Sequence, residues 1–180
     1  EDYLQPAGTA ADYSGLARIN AWVDSDIANT AKRFYGGDLK GNLWRFDIDD
    51  LLEPKSKALL LAELKHGDGT PQPITTRPVV AEVQYNGTGY PVVYVATGAY
   101  LRDDDPADKT VQTVYAIKDK LTDKGYGDLR KDSNFVVQEI EAGEDADKRP
   151  TREMDVVVPV NWATHSGWRA DFPVGGERVS

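Results

Sequence analysis

Phe34-Tyr-Gly-Gly-Asp-Leu-Lys-Gly-Asn-Leu-Trp-Arg-Phe-Asp-Ile-Asp-Asp50 is the stretch that decides the fold, and it reads as a β-hairpin. Phe34 and Tyr35 are strand formers, and Gly36 and Gly37 admit the close approach of a neighbouring backbone. Asp38 to Asn42 has turn chemistry, with glycine and asparagine able to take positive φ. Leu43 to Phe46 form the return strand. A period of two puts Leu43 and Arg45 on one face and Trp44 and Phe46 on the other, so the aromatics are expected to enter one packed layer. Asp47, Asp49 and Asp50 follow as caps of the hairpin end rather than metal ligands.

Upstream, Glu1 to Gly15 reads as irregular, Leu16 to Val23 as irregular in preference to a helical turn or a short strand, and Asp24 to Lys32 as a polar loop. Downstream, Lys57 to Leu64 is too short for a helix between Pro54 and the Gly67-Asp68-Gly69 turn, and is expected as the outer strand beside the hairpin. His66 to Pro73 is a connector. Thr75 to Tyr85 and Pro91 to Gly98 are strands joined by the turn Asn86-Gly-Thr-Gly89, the second apolar on both faces and therefore central. The motif then repeats: Val93 to Gly98 matches Phe34 to Gly37, and Val114 to Asp119 matches Leu43 to Asp47. The offsets are 61 residues from Gly37 to Gly98 and 71 from Trp44 to Tyr115. The difference sits between the paired strands, as a turn of five residues at 38–42 against a loop of fifteen at 99–113.

A small-residue strand, a turn and an aromatic strand ending in Asp is how a β-propeller blade presents its middle hairpin. The expected class is all-β, a partial propeller with quinoprotein-like blades: about two blades plus extra strands and long loops, short of the four that closure needs. Residues 1–33 are an irregular entry segment and 34–66 the first blade's hairpin and outer strand. Residues 67–142 are the second blade, with Asn134 to Ala142 as its outer strand. Residues 143–180 are a charged loop and the start of a further blade, all in one domain fragment. Within that last part Gly143 to Arg152 is expected to be mobile. Met154 to Val160 is expected as a strand cut by Pro159, and Gly167 to Pro173 as the start of another.

The net charge of −9 argues against non-specific nucleic-acid binding and against docking on anionic lipid. The absence of cysteine excludes disulfides, thiolate metal sites and thiol nucleophiles. No stretch approaches the ~20 apolar residues of a membrane span. Glu1 does not begin a signal peptide, and the chain starts as if cut from something longer.

Tyr35-Gly-Gly-Asp-Leu-Lys-Gly-Asn-Leu-Trp-Arg-Phe-Asp47 resembles the most recognisable motif of the PilY1/PilC family, the type IV pilus tip-associated biogenesis factors and adhesins. So do Gln72-Pro-Ile-Thr-Thr-Arg-Pro78, Ala96-Thr-Gly-Ala-Tyr-Leu101 and Gln112-Thr-Val-Tyr-Ala-Ile-Lys-Asp119. Gly167-Trp-Arg-Ala-Asp-Phe-Pro173 and Gly176-Glu-Arg-Val179 complete the series, in family order. The resemblance implies part of the C-terminal β-propeller of a large exported protein of a Gram-negative bacterium, at the pilus tip, on the outer surface or in the periplasm. Its implied partners are minor pilins and pilus-tip proteins, a host or surface receptor, and the remaining blades. Some members carry a calcium loop before the Tyr-Gly-Gly-Asp motif. Here that position holds Asp24, Asp26, Asn29 and Lys32, whose ammonium and missing turn glycine do not suit the ion.

Asp103, Asp104, Asp105 and Asp108 in the inserted loop are the best carboxylate cluster, a candidate Ca²⁺ loop with backbone carbonyls. The same residues also suit a solvated loop with aspartate turns. His66 and His165 lack metal-site spacing and read as surface residues. Trp44, Tyr94, Tyr115 and Trp168 suit packing between blades better than a stacking ladder for a ligand. No Gly-x-Ser-x-Gly elbow or triad spacing is present. The expected function is a non-enzymatic interaction module of pilus biogenesis and adhesion. The alternatives are a quinoprotein-dehydrogenase-like propeller with a quinone cofactor and Ca²⁺, and a generic periplasmic scaffold. Unpaired edge strands are expected to drive self-association unless loops cover them.

Overall fold

The structure, a computed structural model, describes residues 14–23, 27, 30–48, 58–154 and 156–179. With 46% of the described residues in strands and 4% in helix, the chain is all-β, as expected. Strands β1 (Ile19–Val23), β2 (Ala31–Gly37), β3 (Asn42–Asp47) and β4 (Ala58–Glu63) form an antiparallel sheet in chain order. The second sheet uses β5 (Val79–Tyr85), β6 (Thr88–Ala96), β7 (Thr113–Lys118), β8 (Phe135–Glu139) and, after a small hairpin of β9 (Glu141–Glu144) and β10 (Pro150–Glu153), β11 (Gly167–Asp171). Its order is β5-β6-β7-β11-β8, with β11 antiparallel to β7 and parallel to β8. Among the described residues no sheet closes on itself. Nor is any helix there long and apolar enough to cross a membrane.

The hairpin of β2 and β3 forms as the sequence indicates, and the Asp38 carboxylate organises its turn. One oxygen accepts the backbone N–H groups of Lys40 and Asn42, both at 2.9 Å; the other accepts Asn42 Nδ2 at 2.9 Å and Trp44 Nε1 at 3.0 Å. Gly41 takes φ +74°, and a Cβ there would come within 2.4 Å of the Leu64 carbonyl oxygen. The facing of β3 is the reverse of the expectation. Leu43, Arg45 and Asp47 are buried, whereas Trp44 and Phe46 are half-buried on the opposite side. An inward Arg–Asp pair, described below, fills the layer that the aromatics were expected to occupy.

Residues 19–23 were expected to be irregular but form the strand β1, which pairs with β2. The pairing is tertiary in origin: a Cβ on Gly36 would lie 2.9 Å from Ile19 Cγ2 and 3.2 Å from Leu16 Cδ1. The glycine pair thus admits side chains rather than a backbone, and Gly37 likewise faces Ile74. The turn at Asn86-Gly87 has φ of 50° and 77°, the signature of a tight hairpin turn, and joins β5 to β6. β6 is central, with Val92 and Val93 both buried.

Between the sheets lies one core, built from Tyr35, Leu43, Leu61, Leu64, Ile74, Val93, Val95, Tyr115, Ile117, Leu129 and Phe135. The outer face of the second sheet carries a smaller cluster of Val92, Ala116 and Trp162 with Tyr90, Tyr94 and Trp168. The free edge of β4 is covered by residues 125–128 of the second sheet's loop: Tyr126 N–H donates to Leu61 O and Glu63 N–H to Gly127 O, both at 2.8 Å. Loop cover of an edge was the stated alternative to self-association.

Residues 143–152 lie in the β9–β10 hairpin; Asp145 Oδ1 accepts the N–H groups of Asp147 and Arg149, and Arg149 Nε donates to Asp145 Oδ2 at 2.9 Å. The described residues of 154–160 form no strand. Instead the buried Gln138 amide brackets Val158, donating to its carbonyl at 2.7 Å and accepting its N–H at 2.8 Å. Gly167–Asp171, read as the start of a further strand set, is inserted within the second sheet.

Candidate functional site

Three polar constellations stand out, each joining elements far apart in sequence. The first sits between the sheets. Arg45 Nε donates to Asp47 Oδ2 and Arg45 Nη1 to Asp119 Oδ1, both at 2.8 Å, with side chains at most 1% exposed. Tyr35 Oη donates to Asp119 Oδ2 at 2.7 Å, and Arg45 Nη2 to the Thr122 carbonyl at 2.9 Å. Burial, Asp119's charge and its hydrogen bond push the Tyr35 phenol far above its ordinary value. Burial raises the Asp47 carboxyl despite the Arg45 bond, whereas Arg45, penalised by burial, is held above its usual value by the two carboxylates. This group locks the sheets together. Asp47 was expected to cap the hairpin end; it is a buried ion-pair partner instead. The signal was legible in part, because Asp47 and Asp119 both end the repeated strand and face inward at period two.

The second is a clasp on β11. The Arg130 guanidinium grips Asp171 with Nη2–Oδ1 at 2.6 Å and Nη1–Oδ2 at 3.1 Å, and Nη2 also donates to Thr113 Oγ1 at 3.0 Å. Thr113 Oγ1 donates to Asp171 and accepts from Gln72 Nε2, whose Oε1 accepts the Tyr115 hydroxyl at 2.6 Å. Burial alone would raise the Asp171 carboxyl, but the Arg130 and Thr113 hydrogen bonds outweigh it and hold it below the usual range. Burial pushes the Tyr115 phenol up to about 12. Arg130 had no spacing signal in the sequence.

The third is the long loop between β6 and β7, where the candidate Ca²⁺ ligands lie. Asp105 Oδ2 accepts the N–H groups of Leu101 and Arg102, and Asp108 accepts from Thr110 N–H and Oγ1 at 2.8 and 2.9 Å. These bonds hold both carboxyls below their ordinary range. Asp104 precedes a short 3-10 turn over Asp105–Ala107, and Asp103 is exposed. The cation against this loop is Arg178, whose guanidinium donates to the carbonyls of Ala99 at 3.0 Å, Asp105 at 2.5 Å and Asp108 at 2.5 Å. Among the described residues no group of three or more His, Cys, Asp or Glu is arranged to hold a metal. Asp24, Asp26, Asn29, Asp49 and Asp50 lie outside the described residues.

Of the four aromatics singled out in the sequence, only Tyr94 and Trp168 are brought into one cluster. Tyr115 is in the core between the sheets, Tyr94 and Trp168 belong to the outer cluster, and Trp44 is tied to the Asp38 turn. Lys118 Nζ, also on that outer face, donates to the Trp162 carbonyl at 2.7 Å and lies 5.3 Å from the Tyr90 ring centroid. His165 Nδ1 accepts the Asn161 N–H at 3.0 Å, a structural role. Beside the loop, Gly15, Leu16, Ala17, Arg18, Leu39, Thr75 and Leu101 line an open cleft of about 370 Å³.

No protein-family model matches the chain. A type IV pilus biogenesis factor PilY1 homolog of Xylella fastidiosa is 26% identical over 92% of the chain. PilY1 of Pseudomonas aeruginosa PAO1 is 28% identical over 96% of it. Among solved structures, the crystal structure of the P. aeruginosa PilY1 C-terminal domain matches 96% of the chain at a TM-score of 0.70 and 25% identity. The chain is a relative of PilY1. It spans 11% and 18% of the length of those two PilY1 proteins, and 41% of the solved PilY1 domain. The PilY1 relatives are named as biogenesis factors, not enzymes. The resemblance carried by the sequence motifs is therefore borne out by both sequence and fold.

Proposed function

We propose that this chain is a non-enzymatic interaction module of type IV pilus biogenesis and surface adhesion, acting at the pilus tip or outer cell surface of a Gram-negative bacterium. The observation that carries the reading is the match of 96% of the chain to the solved PilY1 C-terminal domain. In this reading the two large sheets are two propeller blades, and the rest of the full-length protein supplies the others. Its partners are minor pilins and other tip proteins, together with a host or surface receptor.

The three constellations support a scaffolding role: each arginine is spent on holding elements in place. The test is an in-frame replacement, in the full-length protein, of residues 14–179 by a flexible linker. Surface piliation is read by sheared-pilus yield, and tip location by immunogold labelling with antibodies to this chain. Loss of pili with normal export of the variant is expected. Unchanged piliation and attachment would overturn the assignment.

A further inference from the structure

Without β11, the second sheet has the same plan as the first. Strands β5, β6, β7 and β8 follow in chain order, and β7 and β8 run antiparallel because β11 is antiparallel to one and parallel to the other. A strand that arrives after β9 and β10 has been placed between two that precede it. Its side chains are not what holds the core together. The core between the sheets contains no residue of β11, and the fully buried positions of β11 are the small residues Gly167 and Ala170. The Tyr115 and Phe135 rings, from β7 and β8, pack across β11 with centroids 6.4 Å apart. A Cβ on Gly167 would come within 3.0 Å of Phe135.

What holds β11 is a backbone ladder on each side, the Arg130–Asp171–Thr113 clasp and the packing of Trp168 in the outer cluster. An identical strand from another molecule reproduces all of these contacts. The segment leading to β11 has the character of a hinge. Val156, Val157 and Val158 are 75%, 62% and 43% exposed, and these strand-forming residues form no strand in the single chain.

We propose that residues 158–179 are an exchangeable segment, so that the slot between β7 and β8 accepts β11 of a second copy of this chain, giving a strand-exchanged dimer. The segment moves as a unit, carrying the Val158, Trp162 and Arg178 contacts to the partner copy. Val156 and Val157, the exposed residues just ahead of the anchored Val158, become the crossing point.

The chain has no cysteine, which allows a direct test. Val114 and Ala170 are opposed partners of β7 and β11. Opposed residues of an antiparallel pair lie about 5 Å apart at Cα, within reach of a disulfide. Chains carrying Val114→Cys alone and Ala170→Cys alone are mixed at high concentration, cycled through mild denaturant and oxidised. A 114–170 linked heterodimer is expected, several-fold above a control mixture of Val114→Cys with Val137→Cys. The double variant Val114→Cys/Ala170→Cys is expected to close within one chain and to lose dimer formation until reduced. A heterodimer yield equal to the control would overturn the proposal. If the cysteine variants do not fold, light scattering on the unmodified chain decides. A slowly formed, concentration-dependent dimer supports exchange, and a monomer at every concentration after the same cycling overturns it.

Discussion

Arg45 shows how a single buried charge serves the fold. Its guanidinium is closed off from water and satisfied by two carboxylates and a carbonyl, one carboxylate from each sheet. Removing one partner of such a group leaves the others charged and unpaired in a dry interior, which typically costs about 3–5 kcal/mol. Arg45→Met is therefore expected to lower the unfolding free energy by about that amount in urea titration. Arg45→Met combined with Asp119→Leu should recover part of the loss, since Asp119 is then no longer left without its arginine while Asp47 keeps the neighbouring buried Arg33. If the single variant were as stable as the parent, the cluster would contribute nothing. The arginine was visible in the sequence as the partner of Leu43 on one face, but its role was not. The pattern of alternation says which residues share a side, and here the polar set won the interior because Asp119 comes from 74 positions away.

At the scale of elements, turns were the most legible features and pairings the least. Asn86-Gly87 and Asp38–Asn42 carry their chemistry locally, and both turns form as read. The two glycines that allow them differ in surroundings. A Cβ on Gly87 meets nothing within 4 Å, whereas one on Gly41 meets the Leu64 and Gln72 carbonyl oxygens at 2.4 and 2.7 Å. Gly87→Ala should thus cost only the strain of positive φ, about 1 kcal/mol. Gly41→Ala should cost markedly more, because backbone must move. Equal shifts in the thermal midpoints of the two variants would contradict this.

By contrast, β1 and β11 owe their strand character to partners, so local composition understated both. The match of Trp44 with Tyr115 slipped by one residue. With Asp47 set on Asp119 the offset is 72, and Leu43 rather than Trp44 corresponds to Tyr115. Such a slip exchanges the faces of a strand, which explains why Trp44 and Tyr115 do not share a layer.

Across the whole molecule, the motifs carried the family resemblance without saying what each of them does. Gly176-Glu-Arg-Val179 turns out to supply the arginine that pins the long loop, joining the last described residues to the middle of the chain. Arg178→Ala is expected to strip hydrogen-exchange protection from residues 99–110 while leaving β2 and β3 unchanged. Added Ca²⁺ is expected not to restore it, because Asp105 and Asp108 are already committed to backbone N–H groups. Protection unchanged in the variant would show that the loop holds itself.

The stitching of residues 125–128 along β4 has a consequence for how the chain comes to be folded. When it emerges N-terminus first, from a ribosome or a translocation pore, β1 to β4 appear well before their cover. Until Asp119 and Gly125–Asp128 follow, Arg45 lacks its second carboxylate and the edge of β4 stands open. The first sheet therefore completes its outer edge and its buried ion pairs only when the chain has been made as far as Asp128, so its final form depends on residues that appear long after its own last strand.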